Sequence, residues 1–207
     1  MNQKLIAKSN FVLNKVLNSN DCLDILQDFI ESILKIKIDS IKLNNHEEKN
    51  KMASIKNFGI ADVRIKTEDK EELNVGIQFI DGKYIQTKLL LYYAQVHNYQ
   101  LKKDGKITKT ITINILNTNH YKTFCYHQKI ILKNKEPNFE EEKIQLHIIE
   151  LPKFQPIFLH QLNKEEQWIT YIKGQYIEEI ERVKRMNYKI NKLDKLVDKY
   201  WKDEIIE

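Results

Sequence analysis

Residues 60–79 decide the fold: Ile60-Ala-Asp-Val-Arg-Ile-Lys-Thr-Glu-Asp-Lys-Glu-Glu-Leu-Asn-Val-Gly-Ile-Gln-Phe79. Two runs rich in β-forming residues, about 60–66 and 72–79, flank the turn-prone Thr-Glu-Asp-Lys-Glu, and Asp81-Gly82 ends the second. That is the pattern of a β-hairpin. Side chains alternate across a strand with period two. Asp62 is therefore the one carboxylate of the first strand, and Gly76 and Gln78 share a face of the second with Glu72 and Asn74.

Working outward, Ser9 or Asn10 is placed to cap a short helix carrying Phe11, Val12, Val16 and Leu17. Asn20 or Asp21 caps a second, with Cys22, Leu23, Leu26, Phe29, Ile30, Ile33 and Leu34 at helical spacing. Lys35 to Leu43 reads as a strand and His46 to Asn57 as a polar loop. Beyond the hairpin, Lys88 to Lys102 reads as a helix bearing Leu89, Leu90, Tyr92, Tyr93, Val96 and Leu101. Thr108 to Leu116 alternates as a strand, and β segments follow near 123–132 and 144–150.

From Asn163 the pattern changes. Ile177, Ile180, Val183, Met186, Ile190, Leu193, Val197 and Tyr200 recur three or four residues apart, an amphipathic helix with a narrow apolar seam. That tail either packs on the core or forms an oligomerisation seam for a homodimer, and Trp168-Ile-Thr-Tyr171 is placed to anchor its start. The expected class is a mixed α/β core over residues 1–155 with a C-terminal helical extension over 156–207.

Of the 207 residues, 42% are apolar and 10% aromatic, enough for a packed core. No apolar run approaches the roughly 20 residues that span a bilayer, and the first residues lack the long apolar segment of a secretory signal. Cys22 and Cys125 fit no metal-ligand spacing and are expected to be reduced thiols of a cytoplasmic protein. The net charge is +5. Residues 164–207 hold ten Lys or Arg and ten Asp or Glu, so the excess lies wholly in residues 1–163. A basic core suits a polyanion partner; equally, lysine is common in any Lys/Asn/Ile-rich chain.

Phosphodiester hydrolysis uses a metal to activate water and neutralise charge on phosphate. Magnesium keeps several waters and is bound through one or two carboxylates. Strands about 4.8 Å apart let carboxylates at paired positions share one ion, and a polar residue two positions on lies on the same face. Asp62 supplies the first carboxylate and Gln78 the later polar group, while Gly76 stands between them without a side chain. No Gly-rich phosphate loop, Gly-x-Ser-x-Gly or His-Glu-x-x-His occurs, which argues against a nucleotide cofactor. His127 and His147 fall on expected strands, where a structural pair is a better reading than a zinc site.

In order and motifs, residues 1–154 resemble the Rpn-type PD-(D/E)XK nuclease family transposases, the recombination-promoting nucleases. Asn10-Phe-Val-Leu-Asn-Lys-Val-Leu17 is similar to the family's opening motif, Ile60-Ala-Asp62-Val-Arg64 to its Asp-bearing strand, and Asn74-Val-Gly-Ile-Gln78 to its Ile-Glu-x-Gln strand. Lys88-Leu-Leu-Leu-Tyr92 with Gln100 resembles its following helix, and Leu146-His-Ile-Ile-Glu150-Leu-Pro-Lys-Phe154 its most distinctive late strand.

The resemblance implies a restriction-endonuclease-like fold, a mixed central sheet flanked by helices, and magnesium-dependent DNA cleavage linked to mobile elements. It also implies that Asp62 is a metal ligand, that Gln78 takes the Lys position, and that Lys88, Gln100 and, more weakly, Arg64 are DNA contacts. The family's Glu is Gly76 here and its opening Asp is Asn10.

The resulting expectation is a DNA-binding protein with an impaired cleavage centre, in which Gly76→Glu restores some activity. The alternatives are an active magnesium-dependent endonuclease with a ligand relocated to Glu72 or Glu31, and a non-catalytic accessory protein of a mobile element. Glu72 lies four residues along an extended strand from position 76, roughly 13 Å away.

Overall fold

A computed structural model of the protein describes residues 16–44, 61–80, 85, 87, 89–94, 100, 105, 108–131, 144–156 and 160–206, the last six of these as backbone. Most of the expected first helix, the loop at 46–57, Asp81-Gly82 and Lys88 lie outside them.

A 3-10 turn, Asn20–Cys22, opens the described chain; the Ser19 hydroxyl accepts from Asp21 N and caps it. Helix α1, Leu23–Leu34, then buries Ile25, Leu26, Phe29, Ile30 and Ile33 and ends at Lys35 in the left-handed conformation. Among the described residues six strands follow: β1 Ile38–Leu43, β2 Ala61–Thr67, β3 Glu72–Ile80, β4 Thr110–Leu116, β5 His127–Ile131 and β6 Ile144–Glu150. They form one sheet in the order β1-β2-β3-β4-β6-β5. β1, β2 and β3 pair antiparallel, β3-β4 and β4-β6 parallel, and β5 closes the edge antiparallel to β6. This is the mixed α/β sheet expected from the sequence pattern, with helices on both faces.

Period-two alternation divides the sheet. One face carries Ala61, Val63 and Ile65, then Leu73, Val75 and Ile77, then Ile111, Ile113 and Ile115. These pack under α1 and the C-terminal helices in the larger of two apolar clusters. The other face is polar at its middle and apolar at one end, where Ile80, Leu116, Leu146 and Ile148 meet Ile85, Leu89 and Tyr93 of the helix that includes residues 89–94.

The tail is three helices: α2 Lys164–Lys173, α3 Ile177–Met186 and α4 Tyr188–Ile206. A capping box between Asn163 and Glu166 starts α2, and Gly174 ends it in the left-handed conformation. The sequence periodicity reads 177–200 as one helix, but the chain breaks at Asn187. There the Asn187 side-chain oxygen accepts from Lys189 N at 2.9 Å, capping the start of α4, while its Nδ2 donates to Asp28 on α1 at 3.2 Å. The hydrophobic period does not register the break, because Val183, Ile190 and Leu193 are buried on both sides of it. Trp168 anchors the start of the tail: it is 2% exposed, packs edge-on to Phe29 with centroids 5.4 Å apart, and donates to Asp28 Oδ2 at 2.9 Å. The seam residues Val183, Ile190 and Leu193 thus join the same core as α1.

No helix among the described residues is long and apolar enough to cross a membrane.

Candidate functional site

The register fixes which side chains share the polar face. Asp62 of β2 stands opposite Gly76 of β3, which pairs in turn with Thr112 of β4. The next row is Arg64, Asn74 and Thr110; on the other side Gln78 pairs with Asn114. These rows form a polar strip in the middle of a mostly buried sheet.

Helix residues 92 and 93 lie across the strip. Tyr92 donates to Asp62 Oδ1 at 2.6 Å. Burial and the neighbouring Asp62 carboxylate push its hydroxyl well above the usual tyrosine range, so Tyr92 stays neutral and remains the donor. Tyr93 donates to the Gln145 carbonyl at 2.9 Å and contacts Thr112 Oγ1 at 2.7 Å. Asn114 Nδ2 donates to Thr112 Oγ1 at 2.8 Å and to the His147 carbonyl at 3.1 Å.

Gly76 explains how Tyr92 fits. A β-carbon at that position would stand 2.3 Å from Tyr92 Oη and 3.0 Å from its Cζ. Only Gly105 and Gly174 among the described glycines have positive φ, so Gly76 is not there for its backbone conformation. It is there because the tyrosine occupies the space beside Asp62 that a side chain at 76 would enter. The missing β-carbon is thus a packing surface. The signal available in the sequence was a glycine inside a strand, which often marks close approach. The partner was unreadable because it comes from a helix beyond the hairpin.

Gln78 is 1% exposed, and neither its Nε2 nor its Oε1 has a partner among the described residues; Asn74 Nδ2 and Asn114 Oδ1 share that state. Each buried unpaired polar atom costs about 1–3 kcal/mol, so several on one patch mark a place where a ligand or water belongs. Arg64 is half-buried two residues along β2 from Asp62, on the same face. Gln100 turns inward: it is 4% exposed, accepts from Thr108 N at 2.9 Å and donates to Thr110 Oγ1 at 3.3 Å, which fixes the entry to β4.

The described residues bring a single carboxylate to the strip. Asp62 is a lone carboxylate with one oxygen already engaged by Tyr92, position 76 offers no ligand, and no group of three His, Cys, Asp or Glu among the described residues is arranged for a metal. The two carboxylates considered as relocated ligands are placed elsewhere. Glu31 accepts from Ile38 N at 2.9 Å and from Gln27 Nε2 at 3.3 Å, on the helix covering the opposite face. Glu72 is exposed and pairs with Lys66 at the far end of the hairpin.

An antiparallel hairpin with Asp62 facing position 76 and Gln78 two residues on, followed by a parallel strand, is the scaffold that the motifs implied. This chain belongs to the PD-(D/E)XK nuclease family transposases. The family model matches residues 7–204 of the chain. No curated protein and no solved structure matches it significantly.

His127 and His147 are neighbours, as their strands suggested, but on the opposite face of the sheet from Asp62. His127 Nδ1 lies 2.7 Å from Glu165 Oε1 and its Nε2 lies 2.8 Å from His147 Nδ1. The two rings point at each other and not at a common point, the geometry of a hydrogen-bonded pair. Lys35 completes it with an ion pair to Glu165 at 2.7 Å.

Proposed function

We propose that this member of the PD-(D/E)XK nuclease family transposases binds DNA on the polar sheet face while lacking a working cleavage centre. The observation that carries this reading is the Gly76–Tyr92–Asp62 arrangement: the carboxylate at the middle of the strip is held by a tyrosine standing where the second ligand would project. A site that has simply lost a glutamate would leave space and a free carboxylate. Here the space is filled and the carboxylate is hydrogen-bonded. The Gln78 amide, Asn74 Nδ2 and Asn114 Oδ1, which have no partner among the described residues, support a polar ligand on the same strip. Arg64 and Lys88 are the cationic DNA contacts in this reading, and the exposed Tyr176, Ile177 and Tyr188 of the C-terminal helices carry association into a homodimer. Magnesium is weakly bound, and the role is that of a DNA-binding protein of a mobile element.

Calorimetric magnesium titration and a plasmid-cleavage assay test the reading. The natural chain is expected to take up little magnesium and leave the plasmid intact. Gly76→Glu alone, which the motif by itself would expect to restore activity, is expected to fail because its β-carbon meets Tyr92. Gly76→Glu combined with Tyr92→Ala opens the space and is expected to gain magnesium binding. Magnesium-dependent cleavage by the natural chain, abolished by Glu72→Ala or Glu31→Ala, would overturn the proposal in favour of an active endonuclease with a relocated ligand.

A further inference from the structure

The passage from β4 to β5 crosses the end of β6, because β6 lies between them in the sheet. Residues 117–126 make that passage, and the last residue of β6 holds them in place. Glu150, fully buried, accepts from the backbone N–H of His120 and of Tyr121, the latter at 3.0 Å, and from Gln128 Nε2 at 3.1 Å. Lys153 pairs with the same carboxylate and donates to the Tyr121 carbonyl at 2.7 Å. These bonds hold the Glu150 carboxyl below the usual range despite the opposing effect of its burial. A buried ion pair with all its oxygens engaged is costly to disturb, so the middle of the loop is fixed.

Beyond that clasp the loop displays an aromatic ring. Phe124 is 99% exposed, between exposed Lys122, Thr123 and Cys125. From Gly105 to Lys135 the chain has six lysines and no acidic residue. Of the loop and the adjoining strand, His120, Lys122 and Lys129 are exposed as well. A ring presented by an anchored backbone loses little conformational freedom when something stacks on it. Aromatic faces set among positive charge are what sequence-tolerant binding of single-stranded nucleic acid uses.

From this placement we infer that the 117–126 loop is a second nucleic-acid contact, in which Phe124 stacks on an unpaired base and Lys122 meets the adjoining phosphate. The ligand is a single-stranded or locally opened stretch of DNA. The inference rests on the reading that DNA is the partner, and adds to it a position remote in sequence from the Asp62 hairpin and a preference for unpaired bases.

The test titrates the full chain into a fluorescently labelled oligothymidylate and a labelled duplex, following anisotropy over a range of salt. Phe124→Ala is expected to weaken oligothymidylate binding about tenfold and duplex binding much less. Lys122→Ala is expected to lower the salt slope by about one. Phe124→Trp is expected to retain affinity, with the new indole emission quenched by the oligonucleotide beyond the change seen in the natural chain. Phe124 is solvent-exposed, so these variants are expected to unfold at the same temperature as the natural chain, which separates binding from folding.

Undiminished binding by Phe124→Ala, together with indole emission in Phe124→Trp that the oligonucleotide leaves unquenched, would overturn the loop assignment while leaving the DNA reading intact. Failure of every variant and of the natural chain to bind either DNA, even at low salt, would overturn both. Concentration-dependent self-association that Phe124→Ala removes, with DNA binding unchanged, would assign the ring to an interface between copies and overturn the inference.

Discussion

Tyr92 Oη lies 2.3 Å from the point where a β-carbon on residue 76 would stand, so Tyr92 and Gly76 occupy one space between them. The ring is buried on a helix packed over the sheet and cannot swing away without uncovering Asp62. Gly76→Ala is therefore expected to destabilise the protein by about 1–3 kcal/mol through overpacking. Tyr92→Ala removes the obstacle, so the double variant is expected to lose less than the sum of the two single losses. Urea unfolding of all four proteins measures the coupling, and strictly additive losses would show that the two residues do not meet.

Tyr92→Phe separates the hydroxyl from the ring. The ring stays, and Asp62 loses the 2.6 Å bond from Tyr92. A hydrogen bond to a charged group is worth about 1.5–3 kcal/mol when buried, and Asp62 is half-exposed, so about 1 kcal/mol is expected. Removing the carboxylate first, in Asp62→Ala, should abolish most of that difference. An equal loss from Tyr92→Phe in both backgrounds would mean that the hydroxyl stabilises through something other than Asp62.

The hairpin was legible because β2 alternates in burial, β3 alternates apolar with polar or Gly as far as Gln78, and the turn between them is built of turn-forming residues. Asp62, Gly76 and Gln78 could be set on one face by counting in twos. The state of the site was not legible, since it depends on a contact between Gly76 and Tyr92, 16 positions apart in the chain and joined only by the packing of a helix across the sheet. Gln100 shows the same limit: the family resemblance implied a DNA contact there, but whether its amide turned outward or onto Thr108 and Thr110 was a matter of tertiary structure. The tail illustrates the reverse case. Its apolar period ran unbroken through Asn187 because a break that preserves the buried face leaves no mark on the period.

Asp28 ties the tail to the core. Its carboxylate accepts from Trp168 Nε1 at 2.9 Å, Asn187 Nδ2 at 3.2 Å and Lys164 Nζ at 3.0 Å. Burial raises the carboxyl, and these three donors outweigh it and hold it below the ordinary range. Asp28→Ala leaves a buried indole N–H and amide unpaired, an expected loss of about 3 kcal/mol. Tryptophan emission should shift to the red as the tail loosens. An unshifted spectrum and unchanged urea midpoint would show that apolar contacts of Trp168, Val183 and Ile190 hold the tail without Asp28.

The histidine pair makes stability depend on pH on the acid side of neutrality. With the Glu165 carboxylate accepting from His127 Nδ1–H, His127 Nε2 is the acceptor that faces the Nδ1–H of His147. His147 Nε2 then accepts from Gln145 Nε2, so every ring nitrogen has one assigned role. Burial is the main reason that the His147 imidazole is pushed down to about 3, with the neighbouring His127 and Lys129 adding to it. A folded-state value below the unfolded one, near 6.5, means that the unfolded chain binds the proton more readily. The stabilising effect is thus fully present above pH 6.5 and is lost as the pH falls from there toward 3. The slope expected from this one group is at most about 1.4 kcal/mol per pH unit. Glu165, Asp28 and Glu150 are also held below their usual ranges, but carboxylates begin to add their own loss only below about pH 4.5. His147 is therefore the group expected to carry a loss across the window between about pH 6.5 and 4.5. Urea midpoints taken across it should fall in the natural chain and stay nearly level in His147→Gln, whose amide cannot take up a proton. A natural chain with a flat profile in that window would show that His147 is charged as readily in the folded state as in the unfolded one.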